Sequence, residues 1–197
     1  MLDVGNGIKG GSPSNPVLVS QFKYDLDSLY ARVALEGGPG FIRGTHTAWR
    51  HRNYVFIADE VFGNAAAQQL FSWQPSRAYG RLHVIDVSDL TQPRAVAWWE
   101  PEYGGVHNIW VAGDTLYVGA YNAGFKAFDV SGELRGDLYE QGRQIAEFMP
   151  MDPNAKLPNA PMTWGVVVNP KDGLAYVNDF NSGLWILRLE PKEKPIP

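Results

Sequence analysis

The sequence predicts an all-β fold assembled from a repeated module of short strands. Residues 105–132, GVHNIWVAGDTLYVGAYNAGFKAFDVSG, read as strand, turn, strand, turn and strand, closed by a polar stop. The same pattern recurs. Phe56-Ile57-Ala58-Asp59 and Tyr176-Val177-Asn178-Asp179 align with Tyr117-Val118-Gly119-Ala120. After them, Leu82–Asp86, Phe125–Asp129 and Leu184–Arg188 align as the next strand, with Gly80, Gly124 and Gly183 at or near its start. Asp86 and Asp129 stand 43 residues apart (129 minus 86). A period in the low forties with short strands is the signature of a β-propeller.

Composition is compatible with this architecture. The chain has 197 residues, 45% of them hydrophobic, which places it among globular sequences. Seven Trp, nine Tyr and 21 Gly suit aromatic-rich strands broken by tight turns. A net charge of −4 without a Lys/Arg cluster offers no footprint for nucleic acid. The absence of Cys removes disulfides, thiolate metal sites and a Cys nucleophile. The first residues, MLDVGNGIKGG, lack the charged and apolar runs of a signal peptide. No apolar run approaches the roughly 18 residues of a membrane helix.

Each module opens on an inner strand: Thr47–Trp49, Asn108–Val111 or Gly165–Val168. A polar turn leads to the second strand, Tyr54–Ala58, Thr115–Ala120 or Leu174–Asn178. Tyr121-Asn122-Ala123-Gly124 and Phe180-Asn181-Ser182-Gly183 supply the residues that tolerate positive φ in the next turn. The third strand ends at Ser88, Ser131 or Glu190, and outer strands follow at Ala95–Trp99 and Gln144–Phe148. Near the N-terminus, Leu2-Asp3-Val4 matches Ile85-Asp86-Val87, which makes Val17–Phe22 the outer strand of a truncated module. The expected blades are therefore 45–100, 101–149 and 163–190, the last without its outer strand. Because propeller rings take four to eight blades, about three visible blades imply a piece of a larger ring, its missing blades elsewhere in a longer chain. A three-blade ring closed by Val17–Phe22 against Leu184–Leu189 is the other arrangement.

The segments Leu82-His83-Val84-Ile85-Asp86-Val87-Ser88, with Asp89-Leu90-Thr91-Gln92-Pro93 after it, and Phe125-Lys126-Ala127-Phe128-Asp129-Val130-Ser131 resemble the LVIVD-repeat family of β-propeller proteins. The resemblance covers most of residues 45–190, and the truncated first module makes the chain the expected C-terminal part of such a protein. In the third module Arg188 stands where the Asp belongs, a departure that fits a terminal repeat. The resemblance implies an extracytoplasmic or cell-surface location and assigns no reaction.

Alternating strands put two kinds of connection on one face: outer strand to next inner strand, and second strand to third. The long segments Asp25–Thr45, Glu60–Tyr79 and Met149–Thr163 all belong to these two kinds, and long loops in compact domains usually carry function. The inner strands begin on this face, so His46, His107, Asn108 and Trp164 should ring a channel mouth. His46 lies three residues before Trp49 and His107 three before Trp110. Asp59, Asn122, Asp179 and Asn181 sit at the second-strand ends on the same side. Trp73, with Phe71 and Tyr79 in the second loop, is expected either to form an exposed aromatic contact for sugar or protein or to fold back over the channel. His46, His107, Asp59 and Asp179 are of types that ligate Zn, Fe or Mn, although no HxH or HExxH spacing supports a metal. Asp86 and Asp129 read as turn caps, and His51 and His83 as structural or solvated.

No GxSxG, phosphate-loop or dinucleotide motif occurs, and no cofactor is indicated. Asp59 and Glu60 are adjacent, so an extended chain points them apart. The expected function is a non-catalytic scaffold binding protein or glycan on the loop-rich face. The alternative is a metal-dependent or hydrolytic module at the channel mouth.

Overall fold

The structure, a computed structural model, describes residues 1–5, 7–40, 42–64 and 77–190. These form an all-β protein of several small sheets with almost no helix. The strands are β1 (Leu2–Asp3), β2 (Val17–Leu18), β3 (Thr45–His51), β4 (Tyr54–Asp59), β5 (Val61–Phe62) and β6 (Ala78–Tyr79). There follow β7 (Leu82–Asp86), β8 (Arg94–Trp99), β9 (Ile109–Ala112), β10 (Thr115–Gly119) and β11 (Phe125–Asp129). The last are β12 (Gly136–Asp137), β13 (Gln144–Phe148), β14 (Thr163–Val168), β15 (Ala175–Asp179) and β16 (Gly183–Leu187). One short helix, α1 (Asp27–Arg32), and a 3-10 turn at Ala34–Glu36 lie between β2 and β3.

Three sheets follow the repeat. The first runs β12-β8-β7-β4-β3, the second β13-β11-β10-β9 and the third β14-β15-β16. Neighbours within each are antiparallel, except that β12 joins β8 in parallel. That strand comes from the second module and reaches back to the first. Leu138 donates to the Trp98 carbonyl at 2.9 Å, and the Leu134 N–H donates to the Tyr54 hydroxyl at 3.3 Å. A two-residue strand has no periodicity to read, which is why β12 was not expected.

The period of two in β10 shows how the sheets stack. Leu116 and Val118 point to the first sheet, where they join Phe56, Leu82, Val84 and Trp99. Tyr117 points the other way and packs with Val166, Val168 and Val177 of the third sheet. The second sheet is thus buried on both faces. Tryptophans fill the same interfaces: Trp49 lies 4.7 Å from Trp110, Trp99 5.0 Å from Phe128 and Trp185 5.2 Å from Phe148, centroid to centroid.

The expectation for Val17–Phe22 needs correction. Only Val17–Leu18 is a strand, and it pairs with Leu2–Asp3. That partner is two residues long and gives way to a glycine-rich turn, so the ladder has nothing to continue on. The turn wraps the buried Asp3, whose carboxylate accepts from the Gly5, Lys9 and Gly11 N–H groups. Closure of β2 against Leu184–Leu189 is not seen, since β16 is the last strand of its sheet.

The long connections meet at one end. Ile42 from the first, Phe62 and Ala78 from the second and Met162 from the third share a cluster with Tyr121 and Phe180. At other turns, His51 and Arg52 both reach Asp114, at 3.2 and 2.8 Å. Tyr79 is buried against Leu29, Val33 and Val61, so it does not belong to an exposed aromatic group. Phe71 and Trp73 lie outside the described residues.

Candidate functional site

The site begins with two matching irregularities. In the first sheet Thr45 pairs with Asp59 and Thr47 with Ala58, which leaves His46 as an extra residue. In the third sheet Thr163 pairs with Asp179 and Gly165 with Asn178, which leaves Trp164 extra in the same way. Such bulges bend the strand and re-aim a side chain. His107 takes the corresponding place in the second sheet, one residue before Asn108, and its N–H donates to the Gly119 carbonyl at 2.9 Å. Asn108 N–H donates across to the Trp164 carbonyl at 3.0 Å, which fixes the second and third modules to each other.

The result is a row of rings. His46 and His107 lie 3.8 Å apart, His107 and Trp164 5.8 Å, and Trp164 and Phe180 5.3 Å. Glu60 faces the two imidazoles. Its Oε2 is 3.9 Å from His46 Nε2 and its Oε1 is 3.5 Å from His107 Nε2. Tyr121 donates its hydroxyl to Glu60 Oε1 and sets its ring edge-on to His107. Ligating atoms of His46, Glu60 and His107 all lie within 4.8 Å of one another, so among the described residues these three could hold a metal. His46 is exposed and His107 buried, so the group opens to solvent on one side.

Burial, followed by the nearby His46, pushes His107 below the ordinary imidazole range, against the opposing pull of Glu60. Burial and the Glu60 carboxylate together push the Tyr121 hydroxyl far up, so it stays protonated as a donor.

The remaining expected residues are engaged elsewhere. Asp59 is fully buried and turns away from Glu60. It meets His83 Nε2 at 2.7 Å and accepts from the Tyr24 hydroxyl, and Tyr24 stacks on His83 at 4.0 Å. Asp179 accepts from Met162 N–H at 2.7 Å, Thr163 Oγ1 at 3.1 Å and the Asn181 and Ser182 N–H groups. Asn122 accepts from Ala78 N–H at 3.0 Å, and Asn181 holds Leu157 and Ala160. These four tie the loops to the strand ends. The carboxylate beside the imidazoles comes from Glu60 in place of Asp59 or Asp179. Sequence reasoning missed Glu60, Tyr121 and Thr47, although the alternation that turns Asp59 inward turns Glu60 the other way.

A separate cleft of about 550 Å³ lies between the outer parts of the first and second sheets. Glu100, Glu102, Asp137 and Glu147 line it, with Lys126 bound to Glu147 at 2.8 Å. Tyr103 and Tyr139 stand on it, 61% and 62% exposed. Of the residues expected at a site, Asn122 lines this cleft.

Residues 103–133 match the family model for the LVIVD repeat. The chain carries an LVIVD repeat. The matched stretch contains β9, β10 and β11, the inner, second and third strands of the middle module, together with His107 and Tyr121 of the ring row. The LVIVD repeat therefore supplies one wall of the site, and its neighbours on either side supply His46, Glu60 and Trp164. No curated protein matches the chain at a significant level. Among the described residues, no helix is long and apolar enough to cross a membrane.

Proposed function

We propose that this chain is part of a β-propeller whose blades are residues 45–100, 101–149 and 163–190, and that it serves as a non-catalytic interaction scaffold outside the cytoplasm. Stacked sheets of like strand order support the propeller reading. The apolar side chains that the third sheet leaves uncovered support further blades: Val167, Leu184 and Ile186 are about half exposed, and a blade's faces are ordinarily covered by its neighbours. The location outside the cytoplasm is drawn from the LVIVD resemblance.

The observation that carries the binding role is the cleft between the first two sheets. Exposed Tyr103 and Tyr139 offer flat apolar faces with a polar edge, while Glu102 and Asp137 offer hydrogen-bond acceptors and Glu100 is held by Arg32 and Arg81. Stacking planes beside acceptors suit the faces and hydroxyls of a glycan, and they also suit a basic protein segment. The test is a panel of defined oligosaccharides and basic peptides, probed with the protein and with Tyr103→Ala/Tyr139→Ala. Saturable binding that the double variant loses, with an unchanged thermal melt, is the expected result. A panel without binders, or binding indifferent to the two tyrosines, would exclude the role.

A further inference from the structure

We propose that His46, Glu60 and His107 bind one first-row divalent transition-metal ion through His46 Nε2, His107 Nε2 and the Glu60 carboxylate. The site needs only these three side chains, so it stands whether or not the cleft recruits a partner.

Hydrogen bonds outside the trio fix which ring nitrogens are available. His107 Nδ1 lies 2.9 Å from the Trp164 carbonyl. A carbonyl only accepts, so Nδ1 carries the proton and donates it. In the neutral imidazole, Nε2 then has a free lone pair. His46 is fixed by a longer chain of the same logic. Thr47 Oγ1 donates its single proton to Asn108 Oδ1 at 3.1 Å. Toward His46 Nδ1, at 2.8 Å, it can therefore only accept. His46 Nδ1 carries the proton and Nε2 is free.

Both Nε2 atoms have a Glu60 carboxylate oxygen as a near neighbour. His107 Nε2 and Glu60 Oε1 face each other across 3.5 Å, and His46 Nε2 and Oε2 across 3.9 Å. Acceptor against acceptor is repulsive, and a cation between them makes it attractive. Ligand atoms about 2.1 Å from one ion sit roughly 3.0–3.4 Å apart in octahedral or tetrahedral geometry, so the observed separations need only modest contraction. Two imidazoles and one carboxylate suit Zn²⁺, Fe²⁺ or Co²⁺, and do not suit the oxygen-seeking Ca²⁺ or Mg²⁺. Three protein ligands leave coordination positions open on the exposed side of His46. Tyr121, held to Glu60 Oε1, orients the carboxylate, and the Trp164 carbonyl and Thr47 orient the rings, the usual role of groups behind the ligands.

The experiment titrates the chelator-stripped, tag-free protein with Zn²⁺ by calorimetry and with Co²⁺ by visible absorption, while imidazole nitrogen shifts are followed by NMR. The expected result is one ion per chain with micromolar or tighter affinity. His46 and His107 Nε2 should shift with Nδ1 still protonated, and His51 and His83 should stay still. His46→Ala and Glu60→Gln should each weaken binding at least 100-fold, and Tyr121→Phe about 10-fold. His46 is exposed, so its variant should keep the wild-type melt and separate loss of the site from loss of the fold. Absence of binding at millimolar Zn²⁺, shifts spread equally over all four histidines, or affinity unchanged in folded His46→Ala would each overturn the proposal.

Discussion

Asp59 and Glu60 are neighbours in the chain and serve different structures. Asp59 enters the core to meet His83 at 2.7 Å, and Glu60 faces His46 and His107 at the loop-rich end. Alternation at the end of β4 separates them, and the site depends on that separation.

Removing the Asp59 carboxylate should damage the fold. Asp59→Ala leaves the His83 imidazole and the Tyr24 hydroxyl without their buried partner. The expected loss is about 3 kcal/mol, the scale for orphaning buried polar partners. Asp59→Asn keeps an acceptor and should cost less. Urea unfolding of the two variants checks both the size and the order.

Gly119 sets the spacing between the second and third sheets at the site. A Cβ there would sit 2.8 Å from the Trp164 backbone carbonyl, which cannot move without shifting its bonds to Asn108 and His107. Gly119→Ala is expected to cost roughly 1–3 kcal/mol as overpacking and to shift the Trp164 fluorescence. Gly113, in a turn with open space around it, has φ +58 and no neighbour to meet. Gly113→Ala should be strained in its backbone alone, and Trp164 should not respond.

Much of this was legible in the chain. The repeat, the strand order and the turn-capping roles of Asp86 and Asp129 followed from local pattern, because alternation and Asx turns are set by neighbours in sequence. The His46, His107 and Trp164 row was legible from register. Glu60 and Tyr121 were not, since their approach depends on how two modules stack, and stacking leaves no local mark. The parallel strand β12 and the tethering of the loops by Asp179, Asn122 and Asn181 were hidden for the same reason.

Acid should weaken the protein through the turn aspartates. The Ser88 N–H, then its hydroxyl, holds Asp86 below the usual carboxylate range, and the Ser131 hydroxyl, then its N–H, does so for Asp129. The unfolded chain then takes up these protons at a higher pH than the folded one. Their contribution is present above the unfolded value of about 3.9 and is lost as pH falls through the lower folded values. Urea midpoints measured from pH 6 to pH 3 should fall, and Asp86→Asn/Asp129→Asn should show a shallower fall.

The uncovered face of the third sheet should make the chain self-associate. Leu184 and Ile186 are 59% and 55% exposed on its last strand, which has no further partner strand among the described residues and is an edge of the kind that seeks one. Sedimentation should show concentration-dependent association that Leu184→Lys/Ile186→Lys reduces. A monomer at all concentrations would count against further blades.

Successive repeats deliver His46, His107 and Trp164 to one place. The protein has four histidines, so their ring protons can be resolved individually by NMR. With centroids 3.8 Å apart, His46 and His107 should show a strong ring-to-ring nuclear Overhauser effect, and His107 a weaker one to Trp164 across 5.8 Å. Well-dispersed spectra of the folded protein with neither cross-peak would contradict the shared mouth and return both histidines to separate structural roles.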